Sequence, residues 1–335
     1  MPIDGSPFAC FPVVHSTMEH VFPLSDSLLA RWWYAVKPQS WPKVLVSAVL
    51  GQALGIAATG VLSWRGALVG GLFTFCDLLY LVLLNDWGDR EVDTIKRRMF
   101  PDGCSPKTVP DGILSAHHLL LAGIIAGTLG LVIAVLGGWW LGRPWLGPMG
   151  AAGLIIFQAY TFPPLRLNYR GGGELLEMLG VGILLPWLNA YAQSGLLIHP
   201  VFWLLPGSML LSLASALASG LSDEESDRAG GKRTFTTLFG NPTVRLGTEV
   251  FLVLGVLAWG AASLRHGEII PRWTVIPPAG IILWYGWKAR AISAQAVTNA
   301  FTAQGLYKHY LHCAIWYGTV VLMCLLIASR AAEIE

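Results

Sequence analysis

Charge is scarce in this sequence. Lys, Arg, Asp and Glu supply 13% of its 335 residues, about half the share found in an ordinary soluble domain. A chain this poor in charge and 54% hydrophobic reads as an integral membrane protein. The net charge is only +2, and the basic residues sit in short loops instead of forming a stripe, so no nucleic-acid partner is expected. The five cysteines (Cys10, Cys76, Cys104, Cys313, Cys324) show no CxxC spacing and two lie in apolar runs, which argues against a disulfide framework or a zinc site. Residues 1–26 lack a basic n-region and carry Asp4, Glu19 and Asp26, so a cytosolic tail is expected there in place of a cleaved leader.

What the chain has in abundance is apolar runs. Residues 27–38 are aromatic and basic and suit an amphipathic helix at the headgroup level, ended by Pro38. Nine stretches of spanning length follow, at about 44–63, 67–85, 116–137, 147–163, 174–194, 202–221, 247–264, 273–290 and 310–329. With the N-terminus inside, all the Lys and Arg except Arg65, Arg143, Arg265, Arg272 and Arg330 fall on the inner side. This bias predicts a cytoplasmic position for the loops after the second and sixth spans, with a bacterial inner membrane as the expected location. Loops 94–115 and 228–246 are longer than the outer turns and are candidate lids.

Acidic residues lead into both of those loops. Asn85-Asp86-x-x-Asp89-x-x-x-Asp93 ends the second apolar run, and at 100° per residue Asp86, Asp89 and Asp93 share one helical face. Asp223 and Asp227 follow the sixth run at i and i+4. Carboxylates so close repel unless cations lie among them, and hard oxygen donors around a partly hydrated ion suit Mg²⁺. Lys96, Arg97 and Arg98 trail the first motif, and Arg228, Lys232 and Arg233 trail the second. Opposed carboxylates holding Mg²⁺, with basic donors around them, stabilise the charge of a departing diphosphate. A site at the membrane edge fits a substrate with a polar head and a lipid tail, a polyprenyl diphosphate. Membrane lipid would surround the rest.

These residues carry a resemblance. The run Asn85-Asp86-x-x-Asp89-x-x-x-Asp93 resembles the NDxxDxxxD signature of the UbiA superfamily of intramembrane prenyltransferases, and Asp223-x-x-x-Asp227-Arg228-x-x-Gly231-Lys232-Arg233-Thr234 is similar to its second motif. The stretch from Tyr160 to Glu174 resembles the family's loop between spans four and five. The resemblance covers about 40–330. It implies an all-α fold of nine transmembrane helices around a central cavity, and Mg²⁺-dependent transfer of a prenyl group to an aromatic or lipid acceptor of the quinone-precursor type, such as dihydroxynaphthoate or hydroxybenzoate. Carried over residue by residue, Asp86, Asp89, Asp93, Asp223 and Asp227 would bind Mg²⁺, and Asn85 would orient that shell or touch the diphosphate. Arg98, Arg166, Lys232 and Arg233 would meet the substrate's phosphates, and Tyr160 would line the cavity near the reacting carbon. The sequence departs from the family at Asn168, where a basic residue is common, and at Ser105–Pro110, where an Arg-Pro pair is usual.

Three residue sets stay open at this point. Asp77 lies about 180° around its helix from Asp86, so function and pairing with a neighbouring helix are both possible. Ser208, Ser212, Ser215, Ser219 and Ser222 form a small-residue stripe that suits close helix packing or a polar cavity wall. Glu174 is expected to be structural or to brace the loop bases. A terpene cyclase of the same superfamily would keep the diphosphate site without an acceptor, and a cation-coupled transporter would use the acids differently; Gly/Pro interruptions gathering at the motifs favour the enzyme.

Overall fold

The computed structural model describes residues 27–103 and 105–331, so the expected tail 1–26 lies outside the described residues. Among the described residues the chain is helical, with no named strand. A short helix α1 (Leu28–Ala35) leaves Leu28, Leu29 and Trp33 exposed, as a helix lying on a membrane surface would. Then come α2 (Pro42–Thr59), α3 (Trp64–Met99), α4 (Ala116–Leu141), α5 (Leu146–Thr161), α6 (Gly173–Leu179), α7 (Leu185–Ser194), α8 (Leu205–Gly220), α9 (Glu224–Ala229), α10 (Phe235–Phe239), α11 (Asn241–Arg265), α12 (Arg272–Ser293) and α13 (Phe301–Ala331). A π-helical turn, Gly180–Leu184, joins α6 and α7 into one continuous segment.

Seven segments are long and apolar enough to cross a membrane: α2, α3, α4, α6 with α7, α8 with its preceding turn, α11 and α13. The other two expected spans also form helices. At 16 residues, α5 extends about 24 Å, shorter than a hydrocarbon core of roughly 30 Å. Helix α12 carries Arg272, Lys288 and Arg290, with Pro277 and Pro278 inside it. The chain is a multi-pass membrane protein. Its outward stripes are apolar, as on α4, where Leu121, Ile124, Leu129, Val132 and Leu136 are exposed, a face that only lipid can satisfy at this length.

Packing inside the bundle relies on small residues. A Cβ placed on Gly51 of α2 would come within 2.1 Å of the Pro186 carbonyl oxygen on α7, so this pair of helices can touch only at a glycine. Beside it Gln52 donates to Asn189 Oδ1 at 2.8 Å, and Asn189 donates to Thr74 Oγ1 at 3.1 Å, giving interhelical hydrogen bonds where water cannot compete. One apolar core gathers around Trp259 and Tyr307 between α2, α8 and α11–α13; a second gathers around Phe73 and Leu78. The π turn has a local cause. Pro186 cannot donate to the carbonyl of Gly182 and its ring would crowd it, so the helix widens just before the proline. Ser47 of α2 donates to the Val181 carbonyl in that turn.

Helix α3 sets the position of the site. Its 36 residues reach about 54 Å, well beyond the hydrocarbon core, so its second half carries Asn85 to Asp93 to the membrane edge. Lys96, Arg97 and Arg98 occupy its last turn, where cations complement the helix dipole. Because α3 runs to Met99 and α11 begins at Asn241, both connecting loops are shorter than the sequence pattern predicts.

Candidate active site

The two acidic motifs open onto one cavity of about 390 Å³. Asn85, Asp86 and Asp89 line it from α3, and Asp223 and Asp227 from the α8–α9 corner. Tyr160 and Glu174 also line it, from α5 and α6. Asp93 is buried one turn beyond Asp89 and lies behind the lining. The α8–α9 corner forms because α8 stops at Gly220 and Asp223 stands at the N-cap of α9. Its backbone N–H donates to the Gly220 carbonyl at 3.1 Å and Ser226 Oγ donates to the Asp223 carbonyl at 3.0 Å.

Two consecutive glycines then turn the chain back. Gly230 packs so close to α3 that an added Cβ would lie 2.6 Å from Val92 Cγ2, and Gly231 has φ +69, a left-handed conformation that glycine adopts without strain. The Lys232 N–H donates to the Asp227 carbonyl at 2.7 Å, and the side chain reaches Asp89 with an Nζ–Oδ2 distance of 2.8 Å. A capping box at Thr234 starts α10, and Glu174 accepts from the Phe235 N–H at 2.8 Å. Glu174 therefore braces the second motif from across the cavity.

Each of four carboxylates in this region holds a lysine. Lys37 pairs with Asp86, Lys107 with Asp93, Lys96 with Asp223 and Lys232 with Asp89. Thr108 Oγ1 donates to Asp86 Oδ2 at 2.6 Å, and buried Asn168 Nδ2 donates to Asp89 Oδ1 at 3.3 Å. The departures from the family pattern at 105–110 and at Asn168 thus fall on residues that serve the acids directly. Of the partners that the motif pattern does not name, Lys96 had a periodic signal: at i+7 from Asp89 it shares that helical face. Lys37, Lys107 and Thr108 had none, because loop geometry alone delivers them.

These pairs shape the protonation of the aqueous rim. Burial works against the Lys232 ammonium, but the Asp89 and Asp227 carboxylates outweigh it and hold its pKa well above that of an ordinary lysine. Asp223 and Asp227 diverge. Burial raises both, yet Lys96, Lys107 and Lys308 hold Asp223 at about 2, whereas at Asp227 burial, helped by the repulsion of Asp223 and Asp89, outweighs Lys232 and Lys96 and pushes it up to about 7.

Other expected binders lie farther out. Arg166, at φ 41, donates to the Gly88 carbonyl at 3.1 Å and covers the Tyr169 ring at 3.7 Å from its centroid. Arg98 and Arg233 are exposed and outside the lining. The Arg233 N–H donates to the Tyr169 carbonyl at 3.3 Å, tying the 160–174 loop to the second motif. Asp77 lines the same cavity as Asp86, because the cavity wraps around α3. The serine stripe divides: Ser208, Ser212 and Ser215 line a chamber of about 40 Å³ between α2, α8 and α13, while Ser219 lines the main cavity.

Among the described residues no three His, Cys, Asp or Glu side chains converge as a ready-made metal cage. The donors nonetheless fit Mg²⁺, which prefers one or two carboxylates completed by water and substrate phosphate over an all-protein cage. Hard oxygen donors from two motifs face one cavity here, with lysines already acting as their counter-charges.

Fold and site together define a multi-pass helical membrane protein with a carboxylate- and lysine-lined cavity at one membrane edge. Residues 44–312 match the UbiA prenyltransferase family, and the chain belongs to it. It is 28% identical over 218 residues to the chloroplastic chlorophyll synthase of Arabidopsis thaliana, covering 62% of this chain and 53% of that protein. It is 28% identical to the 2-carboxy-1,4-naphthoquinone phytyltransferase of Synechocystis, with 65% and 67% covered. The chain spans about half the length of the chlorophyll synthases it matches. In fold it is similar to a UbiA homolog from Archaeoglobus fulgidus bound to DMAPP and Mg²⁺, with a TM-score of 0.63 and 18% identity, covering 87% of this chain and 99% of that one.

Proposed function

We propose that this protein transfers a prenyl group from a polyprenyl diphosphate to an aromatic acceptor inside the membrane, with Mg²⁺ bound by Asp86, Asp89, Asp223 and Asp227 and, through water, by Asp93. The observation that carries the reading is the joining of the two acidic motifs by Lys232 on Asp89 over a cavity whose far walls are apolar. Relatives named as phytyl- and octaprenyltransferases, and the fold neighbour bound to DMAPP and Mg²⁺, support it. All nine long helical segments cross the membrane in this reading, and the basic-residue bias puts the cavity mouth on the cytoplasmic side.

The diphosphate head sits at the mouth, where Lys232 turns from Asp89 toward its oxygens and Asn85 fixes the nearest edge. Lys96 and Lys107 add positive charge from the rim, with Arg166, Arg98 and Arg233 on the approach. Mg²⁺ held by these carboxylates would supply charge neutralisation to the diphosphate as the allylic C1–O bond breaks. The electron pair of that bond leaves with the diphosphate, and the allylic cation faces Tyr160, which is stacked on Phe157 at 5.6 Å and offers a negative ring face. An electron-rich atom of the acceptor forms the new bond to C1 and the acceptor's proton passes to the released diphosphate. No covalent enzyme intermediate is required.

The test is incubation of the purified protein with labelled geranylgeranyl diphosphate, Mg²⁺ and a panel of aromatic acids. A prenylated acceptor that disappears with EDTA and with Asp86→Ala supports the reading. A cyclised hydrocarbon formed without acceptor, or no consumption of any prenyl diphosphate, overturns it.

A further inference from the structure

The cavity has two chemically different ends. Its mouth carries the acidic motifs and their lysines, but farther in the wall is Phe73, Met149, Leu184 and Leu188. Asp77 stands among them. On α3 it precedes Asp86 by nine residues, which is about 13 Å along the helix axis. Its 9% exposure is exposure to the cavity it lines.

What distinguishes Asp77 is its lack of a partner. Asp86, Asp89 and Asp223 each hold a lysine, and Lys43 and Glu177, which also line the cavity, are held by each other. Among the described residues the Asp77 side chain has no hydrogen bond or ion pair. An ionisable group at membrane depth is costly without a partner, and a polar atom of a bound ligand would supply one. A prenyl chain is hydrocarbon beyond its diphosphate and has nothing to offer.

Resting on the prenyltransferase reading, we infer that Asp77 selects the acceptor: its carboxyl hydrogen-bonds a hydroxyl or carbonyl at the end of the acceptor remote from the reacting atom. The spacing limits the acceptor's size. The reacting carbon lies next to the diphosphate, so most of the 13 Å must be bridged by the acceptor itself. A single ring with para oxygens is too short, at about 6 Å between its oxygens from ordinary covalent geometry. Two or more fused rings with a polar group at the far end fit. Asp77 acts here as a specificity residue and takes no part in bond breaking.

The experiment uses the full chain in detergent with labelled geranylgeranyl diphosphate and Mg²⁺, and pairs of two-ring hydroxyarenes that differ only in a hydroxyl on the far ring. Wild type should favour the far-hydroxyl member by about tenfold or more in kcat/KM, the effect of one hydrogen bond to a buried group. Asp77→Leu should abolish that preference through the acceptor's KM while leaving the KM for geranylgeranyl diphosphate unchanged. Asp77→Asn, which keeps shape and hydrogen bonding, should retain most of it and serves if the leucine variant misfolds. An unchanged preference in both variants, or a rise in the KM of the prenyl diphosphate in place of the acceptor's, overturns this inference and leaves the transferase reading intact. Transfer by wild type to no acceptor at all overturns the transferase reading and this inference with it.

Discussion

Lys232 and Asp89 meet at 2.8 Å across 143 positions of sequence. Both side chains are buried, and their contact joins the α9 turn to the end of α3, so the two acidic motifs face one space. Lys232 is expected to be indispensable. Lys232→Gln should lower kcat/KM by roughly 10² to 10³, the usual cost of removing one donor to a developing anion, while exposed Arg233→Gln changes it less than about threefold. Similar losses for the two would return Lys232 to a purely structural role.

Asp111 organises the first lid. It accepts both Arg97 Nε and Nη2 at 2.7 Å, the Lys107 N–H at 2.9 Å and the Tyr34 hydroxyl. Through these bonds it holds α1 to the loop that delivers Lys107 and Thr108 to the acids. Asp111→Ala should therefore reduce turnover about tenfold or more, and most of that loss should vanish when Lys107→Ala is already present, because coupled groups are non-additive. Additive effects would show that Asp111 acts independently of Lys107.

Removing metal should stop turnover without unfolding the protein. The lysine partners already neutralise Asp86, Asp89, Asp93 and Asp223, so excess EDTA should abolish prenyl transfer while Tm moves by only a few degrees. Asp86→Ala and Asp223→Ala should each be inactive with added Mg²⁺. A collapse of Tm in EDTA would instead mean that the metal holds the fold together.

Tyr160 is expected to contribute its ring and not its hydroxyl. Tyr160→Phe should stay within about threefold of wild type, whereas Tyr160→Ala loses about tenfold, the scale of a desolvated cation–π contact. A fluorinated allylic diphosphate, which destabilises the cation with little change of size, should slow single-turnover chemistry by orders of magnitude. An unchanged single-turnover rate would point to direct displacement.

The orientation can be read by labelling. In a cysteine-depleted background, Ser105→Cys and Arg233→Cys, both at exposed positions, should react with an impermeant maleimide only in inside-out vesicles. Reaction in right-side-out vesicles would invert the topology.

Hydropathy alone determines that this chain crosses a membrane many times, because about 20 apolar residues in a row have no other stable environment. The 3.6-residue period likewise determines that Asp86, Asp89 and Asp93 share a face, since a helix leaves them no alternative. Tertiary structure decides what those local rules do not reach. The partners Lys37 and Lys107 reach Asp86 and Asp93 from separate segments through loop geometry, which has no period to read. The π turn before Pro186 widens a helix that hydropathy treats as uniform, and the break at Gly220 turns an i, i+4 acidic pair into a cap and a helix residue. Asp77 is the clearest case. Its angle on α3 leaves open whether it faces another helix or the site, and only the arrangement of the neighbouring helices, which curves the cavity around α3, brings it into the same space as Asp86.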